Sequence, residues 1–408
     1  MKRVPELDAL RGIAAVVIVL YHLRFMGRFP LWGTAVDLFF VLSGYLITTI
    51  LLNTYRTEHF LRTFYIRRAL RIWPAYYLYI LAAVGLNRLM PHQQPTDGLI
   101  AHLTYTQLLP YYWGATPPAC GSMFDHTWTL AIEEQFYLFW PLLVAVAGRR
   151  FLLWLAIPLL ATPVVMRSWG FAGHLLLTRC DGLALGALLA ALLFDRGRLE
   201  RHRRAFIAGF ALVATTSLSY PLWRVPAFAP AIGAWPGQNW PLIVFSIDRL
   251  RISLLFSAVV GMVLCGQGHR LLAPLRERTL CHLGQISYGL YLYHPVVFGA
   301  VGLVVYHAIG VRGALWLDGL KLVACVVVAK LSWTYFEQPL LALKERFAYQ
   351  PEAIPTTPPA PVPLDSVLDA TQPGDTRKWL THKTVGAPTP SRTTLAGSGT
   401  TADANDRR

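Results

Sequence analysis

Apolar blocks of roughly 16 to 24 residues recur along the chain between short polar connections. Blocks of that length match the hydrocarbon thickness of a bilayer and predict an all-α polytopic membrane protein of about ten helices. The predicted spans are Leu10–Met26, Val36–Leu52, Arg71–Leu89, Thr127–Ala147, Phe151–Met166, Leu175–Phe194, Ala205–Leu222, Leu250–Gly266, Leu283–Val305 and Ala314–Phe336. The first and eighth stand out because charges intrude, Arg11 in one and Asp248, Arg249 and Arg251 at the entrance of the other. After Phe336-Glu-Gln-Pro339 a short amphipathic piece, Leu340–Phe347, is predicted to lie along the membrane. The pattern divides the chain into a transmembrane domain, 1–347, and a Pro/Thr/Ser-rich tail, 348–408, whose composition predicts disorder.

Within the first span, Arg11 and His22 are separated by eleven helical steps. Eleven steps of 100° end about 20° past three full turns, so both side chains share a face about 16 Å apart along the axis. A guanidinium and an imidazole in such a run are costly unless paired or used. Asp8, one turn before Arg11, is the structural alternative as its partner.

Loop charges give the layout a direction. Connections 53–70, 148–150, 195–204 and 267–282 carry 14 Lys/Arg, whereas 27–35, 90–126, 167–174, 223–249 and 306–313 carry 5. The bias predicts both termini in the cytoplasm. It puts Arg11 near the cytoplasmic end of its helix and His22 toward the outer leaflet. Connection 90–126 is long enough for an interfacial or re-entrant helix, and its Tyr111-Tyr-Trp suits a headgroup or a sugar wall.

Composition agrees: 54% of residues are hydrophobic and 14% charged. The net charge of +15 does not mark a nucleic-acid partner, because residues 351–408 balance six acids with six bases and the excess lies among the membrane loops. Five scattered cysteines give neither a disulfide framework nor a metal-ligand spacing, and no metal is expected.

The residues able to do chemistry lie at or within the spans. His22 is the candidate general base toward a hydroxyl, against an interfacial histidine as the plain alternative. Arg67, Arg68 and Arg71 cluster where the third span begins, either as a positive-inside anchor or as forks for cofactor phosphates. Glu133 and Glu134 lie two turns inside the fourth span, and as neighbours they point about 100° apart. One is expected to face a cavity and the other to meet a cation. Asp37, Ser43 and His294 are further intramembrane polar residues, taken as candidate substrate contacts; Arg179 and Asp181 are expected to pair with other helices.

Five motifs in order extend this reading. They are Glu6-Leu-Asp-Ala-Leu-Arg11-Gly with His22, Asp37-Leu-Phe-Phe-Val-Leu-Ser-Gly44, and Arg67-Arg68-x-x-Arg71-Ile-x-Pro74. Then come Trp128-Thr-Leu-x-Ile-Glu133-Glu134-Gln-Phe-Tyr137 and Ile286-Ser-Tyr-Gly-Leu-Tyr-Leu-Tyr-His294. With them the chain resembles the acyltransferase 3 family of bacterial membrane proteins, which O-acylate carbohydrates and some small molecules. The resemblance implies ten helices, a cytoplasmic acyl-CoA donor (acetyl-CoA by default) and an outer acceptor such as a lipopolysaccharide, exopolysaccharide or lipid-linked glycan. It implies that Arg11 and His22 are the catalytic signature, with Glu133 or Glu134 orienting the imidazole, and that the three arginines serve the donor. The tail lies outside the shared pattern. The rival from another class is a proton-coupled transporter or flippase, in which the same buried groups would relay protons.

Overall fold

The computed structural model describes residues 3–23, 30–171, 173–223, 240–311 and 314–349. The chain divides after Glu352, and the second unit, like most of the predicted tail and most of connection 223–241, lies outside the described residues. Among the described residues the structure is helical, without strands. The long helices are α1 (Pro5–Tyr21), α2 (Ala35–Thr54) and α3 (Phe60–Leu89), then, after the short α4 (Leu99–Leu103), α5 (Trp128–Ser168) and α6 (Leu176–Leu193). The short α7 (Arg196–Arg201) leads to α8 (Arg203–Trp223) and α9 (Trp240–Cys265); α10 (Arg278–Gln285), α11 (Ser287–Ile309), α12 (Leu315–Ser332) and α13 (Gln338–Ala342) complete the set.

Among the described residues, five helical segments suffice by length and composition to cross a membrane, or six if the bent pair Ser246–Cys265 and Arg270–Arg276 is one span. The chain is thus a multi-pass membrane protein, while the count of about ten is not reached by this measure. Of the other predicted spans, the first is short and charged in α1, 17 residues with Glu6, Asp8 and Arg11, and the tenth is charged in α12, which carries Asp318, Lys321 and Lys330. Two boundaries moved. Residues 148–150, expected as a loop, continue the helix of α5, so the fourth and fifth predicted spans share one 41-residue helix. The third helix begins at Phe60, not Arg71, so Arg67, Arg68 and Arg71 all stand on it. The ninth and tenth predicted spans contain breaks: α10 and α11 part at Ile286, and α12 runs into a π-helical turn, Trp333–Glu337.

Small residues set the closest packing, as helices in lipid must associate by close approach without a hydrophobic drive. Gly182-Leu-Ala-Leu-Gly186 on α6 lies against α2, and a Cβ at Gly186 would fall 2.1 Å from the Val41 carbonyl oxygen. On α10, a Cβ at Gly284 would fall 1.9 Å from the Asp8 carbonyl oxygen of α1. These contacts lock α1, α2, α6 and α10 into one body, against which α5, α9 and α11 also pack.

A buried ionic lattice ties the same helices. Arg179 meets Asp37 at 3.0 Å and Arg167 meets Asp181 at 2.9 Å, all four side chains almost fully enclosed. Arg249 approaches the other Asp37 oxygen at 3.7 Å, and Arg167 also donates to the Thr178 and Ser246 carbonyls. Enclosed charges persist only when paired and hydrogen-bonded in this way.

Candidate active site

His22 caps the C-terminal end of α1, its Nδ1 2.8 Å from the Ile18 carbonyl oxygen. In a neutral imidazole the nitrogen facing a carbonyl must carry the hydrogen, which leaves the lone pair on Nε2.

A second histidine stands beside it. His294 is completely buried, and its ring centroid lies 4.6 Å from that of His22. Its orientation follows from Pro295. Proline has no N–H, so the Tyr291 carbonyl loses its helical donor, and His294 Nδ1 takes that place at 2.7 Å. His294 Nε2 is then a buried acceptor without a partner. A third imidazole, His126, lies 5.1 Å from His294, with Nε2 3.2 Å from the Leu292 carbonyl and Nδ1 unpartnered. Three imidazole rings thus gather around His294, each anchored to a backbone carbonyl through one nitrogen. Among the described residues no group of three His, Cys, Asp or Glu side chains is arranged to hold a metal.

Three cavities are built around these helices. A histidine cavity of about 740 Å³ is lined by His22, His126, His102, His174, Arg179 and Arg249. His102 and His174, in the connections, are held below the ordinary imidazole range by burial, His174 also by Arg179 and Arg249. A central cavity of about 320 Å³ is lined by Arg11, Ser43, Arg68, Arg71, Glu133 and Tyr137. The two have Val36 and Tyr291 in common. Tyr291 is pinned there by its hydroxyl, 2.7 Å from the His126 carbonyl oxygen and 2.6 Å from Thr129 Oγ1. A basic cavity of about 610 Å³ shares Arg68 and Arg71 with the central one and adds Arg67, Lys344 and Tyr349.

Each residue singled out in the sequence now has a place. Arg11 and His22 lie on one helix as expected, yet they line different cavities, one on each side of Tyr291. Asp8 pairs with Arg3 and not with Arg11, and among the described residues no carboxylate lies within ion-pair distance of Arg11. The two glutamates part. Glu133 opens into the central cavity and accepts from the Tyr137 hydroxyl at 3.2 Å, while Ser43 bonds the same hydroxyl. Glu134 turns to α3 and accepts from Trp73 Nε1 at 3.1 Å, outside the cavity. Neither touches the His22 ring, whose orienting group is the Ile18 carbonyl. Asp37, expected at the substrate, is enclosed between Arg179 and Arg249 and lines none of the three cavities. His294 likewise reaches no cavity and stands behind His22.

The arginine trio divides too. Arg68 is wedged over Tyr137 and Phe64, 5.3 and 5.8 Å from their ring centres. Arg71 joins it in both cavities. Arg67 is occupied differently: its Nη1 donates to the Lys344 and Phe347 carbonyls at 2.8 and 2.7 Å, and its guanidinium lies 5.6 Å from the Tyr349 ring. It clasps the segment that follows α13. The sequence reading missed His126, Tyr291 and Lys344. His126 stands two residues before a quoted motif, and nothing local signals that it meets α11.

The family model described as an acyltransferase domain matches residues 4–333. The chain belongs to the acyltransferase 3 family. YrhL of Bacillus subtilis, provisionally named a peptidoglycan O-acetyltransferase, is 30% identical over 368 residues, covering 83% of this chain and 55% of the relative. The peptidoglycan O-acetyltransferase OatA of Listeria monocytogenes is 28% identical over 379 residues, covering 83% of this chain and 56% of the relative. The chain therefore spans little more than half the length of these two relatives. No solved structure matches it.

Proposed function

We propose that this acyltransferase-family chain moves an acetyl group from acyl-CoA on the cytoplasmic side to a hydroxyl of a carbohydrate on the outer side of the membrane. The observation that carries the reading is the series of cavities: cations at one end, His22 at the other, and Tyr291 between. Arginine forks suit the phosphates of the donor, the central cavity suits its narrow pantetheine arm, and a 740 Å³ cavity is the size of a small-molecule site. Likeness to OatA and YrhL makes peptidoglycan the first acceptor to test, ahead of a lipopolysaccharide or exopolysaccharide unit.

In this mechanism His22 Nε2 takes the proton of the acceptor hydroxyl as the oxygen attacks the thioester carbonyl. The C–O bond forms, the C–S bond breaks, and the departing thiolate takes the proton from the imidazolium to leave as coenzyme A. Removal of a general base of this kind costs about 10²–10⁴ in rate. The test is labelled acetyl-CoA with purified protein, together with ester-linked acetate on peptidoglycan and other surface glycans from cells with and without the protein. Transfer that His22→Ala abolishes supports the reading; full transfer by a well-folded His22→Ala protein overturns the role of His22. Absence of donor binding would return the transporter reading.

A further inference from the structure

We propose that the segment Leu343–Tyr349, clasped by Arg67, delivers Lys344 as a phosphate-binding cation that closes the donor site. This rests on the reading that the donor is acyl-CoA.

Among the described residues the basic cavity is lined by four cations, Arg67, Arg68, Arg71 and Lys344, and by no carboxylate. Four like charges around 610 Å³ repel one another unless an anion joins them. The polar remainder is neutral: Tyr45, Thr49, Asn53 and Thr54 of α2, Gln267, and Tyr349. Arg67 has already committed Nη1 to the backbone carbonyls of Lys344 and Phe347, so its function is to hold the segment in place. Because it grips the backbone of residue 344, the side chain is left to face the cavity. The assignment thus exchanges the expected phosphate contact at Arg67 for one at Lys344, more than 270 residues away. Arg68 and Arg71 supply planar forks and Lys344 a compact point charge, a combination fitted to a ligand with several phosphates.

The charge of Lys344 also makes the idea measurable. Burial, followed by Arg71, Arg68 and Arg67, pushes its ammonium down to about 7. Its flanking Glu345 and Arg346 are exposed and lie off the cavity. In the empty site Lys344 is thus largely neutral above pH 7.5. A bound polyphosphate draws a proton onto it, and affinity must fall as pH rises, by up to a decade per pH unit. Phosphate monoesters, with a second pKa of about 6, do not titrate in that window.

The experiment measures coenzyme A binding to the full chain in detergent from pH 7.5 to 9, with pantetheine as the probe lacking phosphates. Wild type is expected to lose affinity across the range. Lys344→Met is expected to bind about tenfold more weakly at pH 7.5 and without the slope, equivalent to about 1.4 kcal/mol. Lys344→Arg is expected to bind at least as well as wild type at pH 7.5 but with a flat profile, because its charge persists; pantetheine binding stays unchanged throughout. Should Lys344→Met fail to fold, the contrast between wild type and Lys344→Arg decides. Unchanged affinity and slope in a folded Lys344→Met or Lys344→Arg would overturn the role of Lys344 while leaving the donor reading intact. Wild type that binds no coenzyme A would remove the donor reading and this inference together.

Discussion

The His294 imidazole lies 4.6 Å from that of His22, and its outer nitrogen has no hydrogen-bond partner. A second neutral ring at that distance presents a dipole to the imidazolium that forms when His22 takes a proton. His294→Phe keeps the volume and removes the lone pair, so kcat should fall about ten- to a hundredfold with the donor KM unchanged. Measured rates that leave kcat intact would reduce His294 to a packing residue.

Glu133 and Glu134 should separate cleanly. Glu133→Gln removes the negative charge from a cavity shared with Arg11, Arg68 and Arg71, and transfer should drop at least tenfold. Glu134→Gln keeps an acceptor for Trp73 outside that cavity, and its rate should stay within about threefold of wild type. Initial rates with saturating donor check both; a reversed order would refute the assignment of the cavity to Glu133.

Gly186→Leu should prevent α2 and α6 from approaching, since even a Cβ there would meet the Val41 carbonyl oxygen at 2.1 Å. Overpacking of a tight contact costs about 1–3 kcal/mol or more. The expected result is low yield and a lowered melting temperature in detergent, with Gly209→Leu as a control that meets open space.

Lys344 predicts a stability profile as well. Its ordinary value is 10.5 and the fold lowers it to about 7. Between those values the unfolded chain holds a proton that the native protein lacks, so stability rises with pH through the window. Below pH 7 the native protein bears the whole cost of burying the ammonium, with the repulsion of the three arginines added to it. Lys344→Met should therefore melt higher than wild type at pH 6, with a smaller advantage at pH 9.

Much of the site could be read in the chain because helical spacing fixes faces. The eleven steps from Arg11 to His22 and the 100° between the two glutamates are properties of any helix. Which glutamate faces the cavity depends on the rotation of α5 against α3, and Trp73 reveals it only in three dimensions. His126 reaches the Leu292 carbonyl across 166 residues, so no local pattern announces its place beside His294. The start of α3 was placed late because Arg62, Arg67 and Arg68 lower its mean hydropathy, although nothing there stops a helix. Gly182-Leu-Ala-Leu-Gly186 was legible as a packing motif and went unread. The three-arginine motif shows in the sequence, but nothing local announces that the backbone carbonyls of Lys344 and Phe347 claim Arg67.

Val36 and Tyr291 border both the central and the histidine cavities. A continuous wet bore through the bilayer would let ions run down their gradient and collapse the voltage on which the cell depends. In the proposed transfer these two side chains, one of them secured at its hydroxyl by a backbone carbonyl and a threonine, would serve as an insulating washer. In that proposed transfer, chemistry then reaches across the membrane while the membrane stays electrically tight.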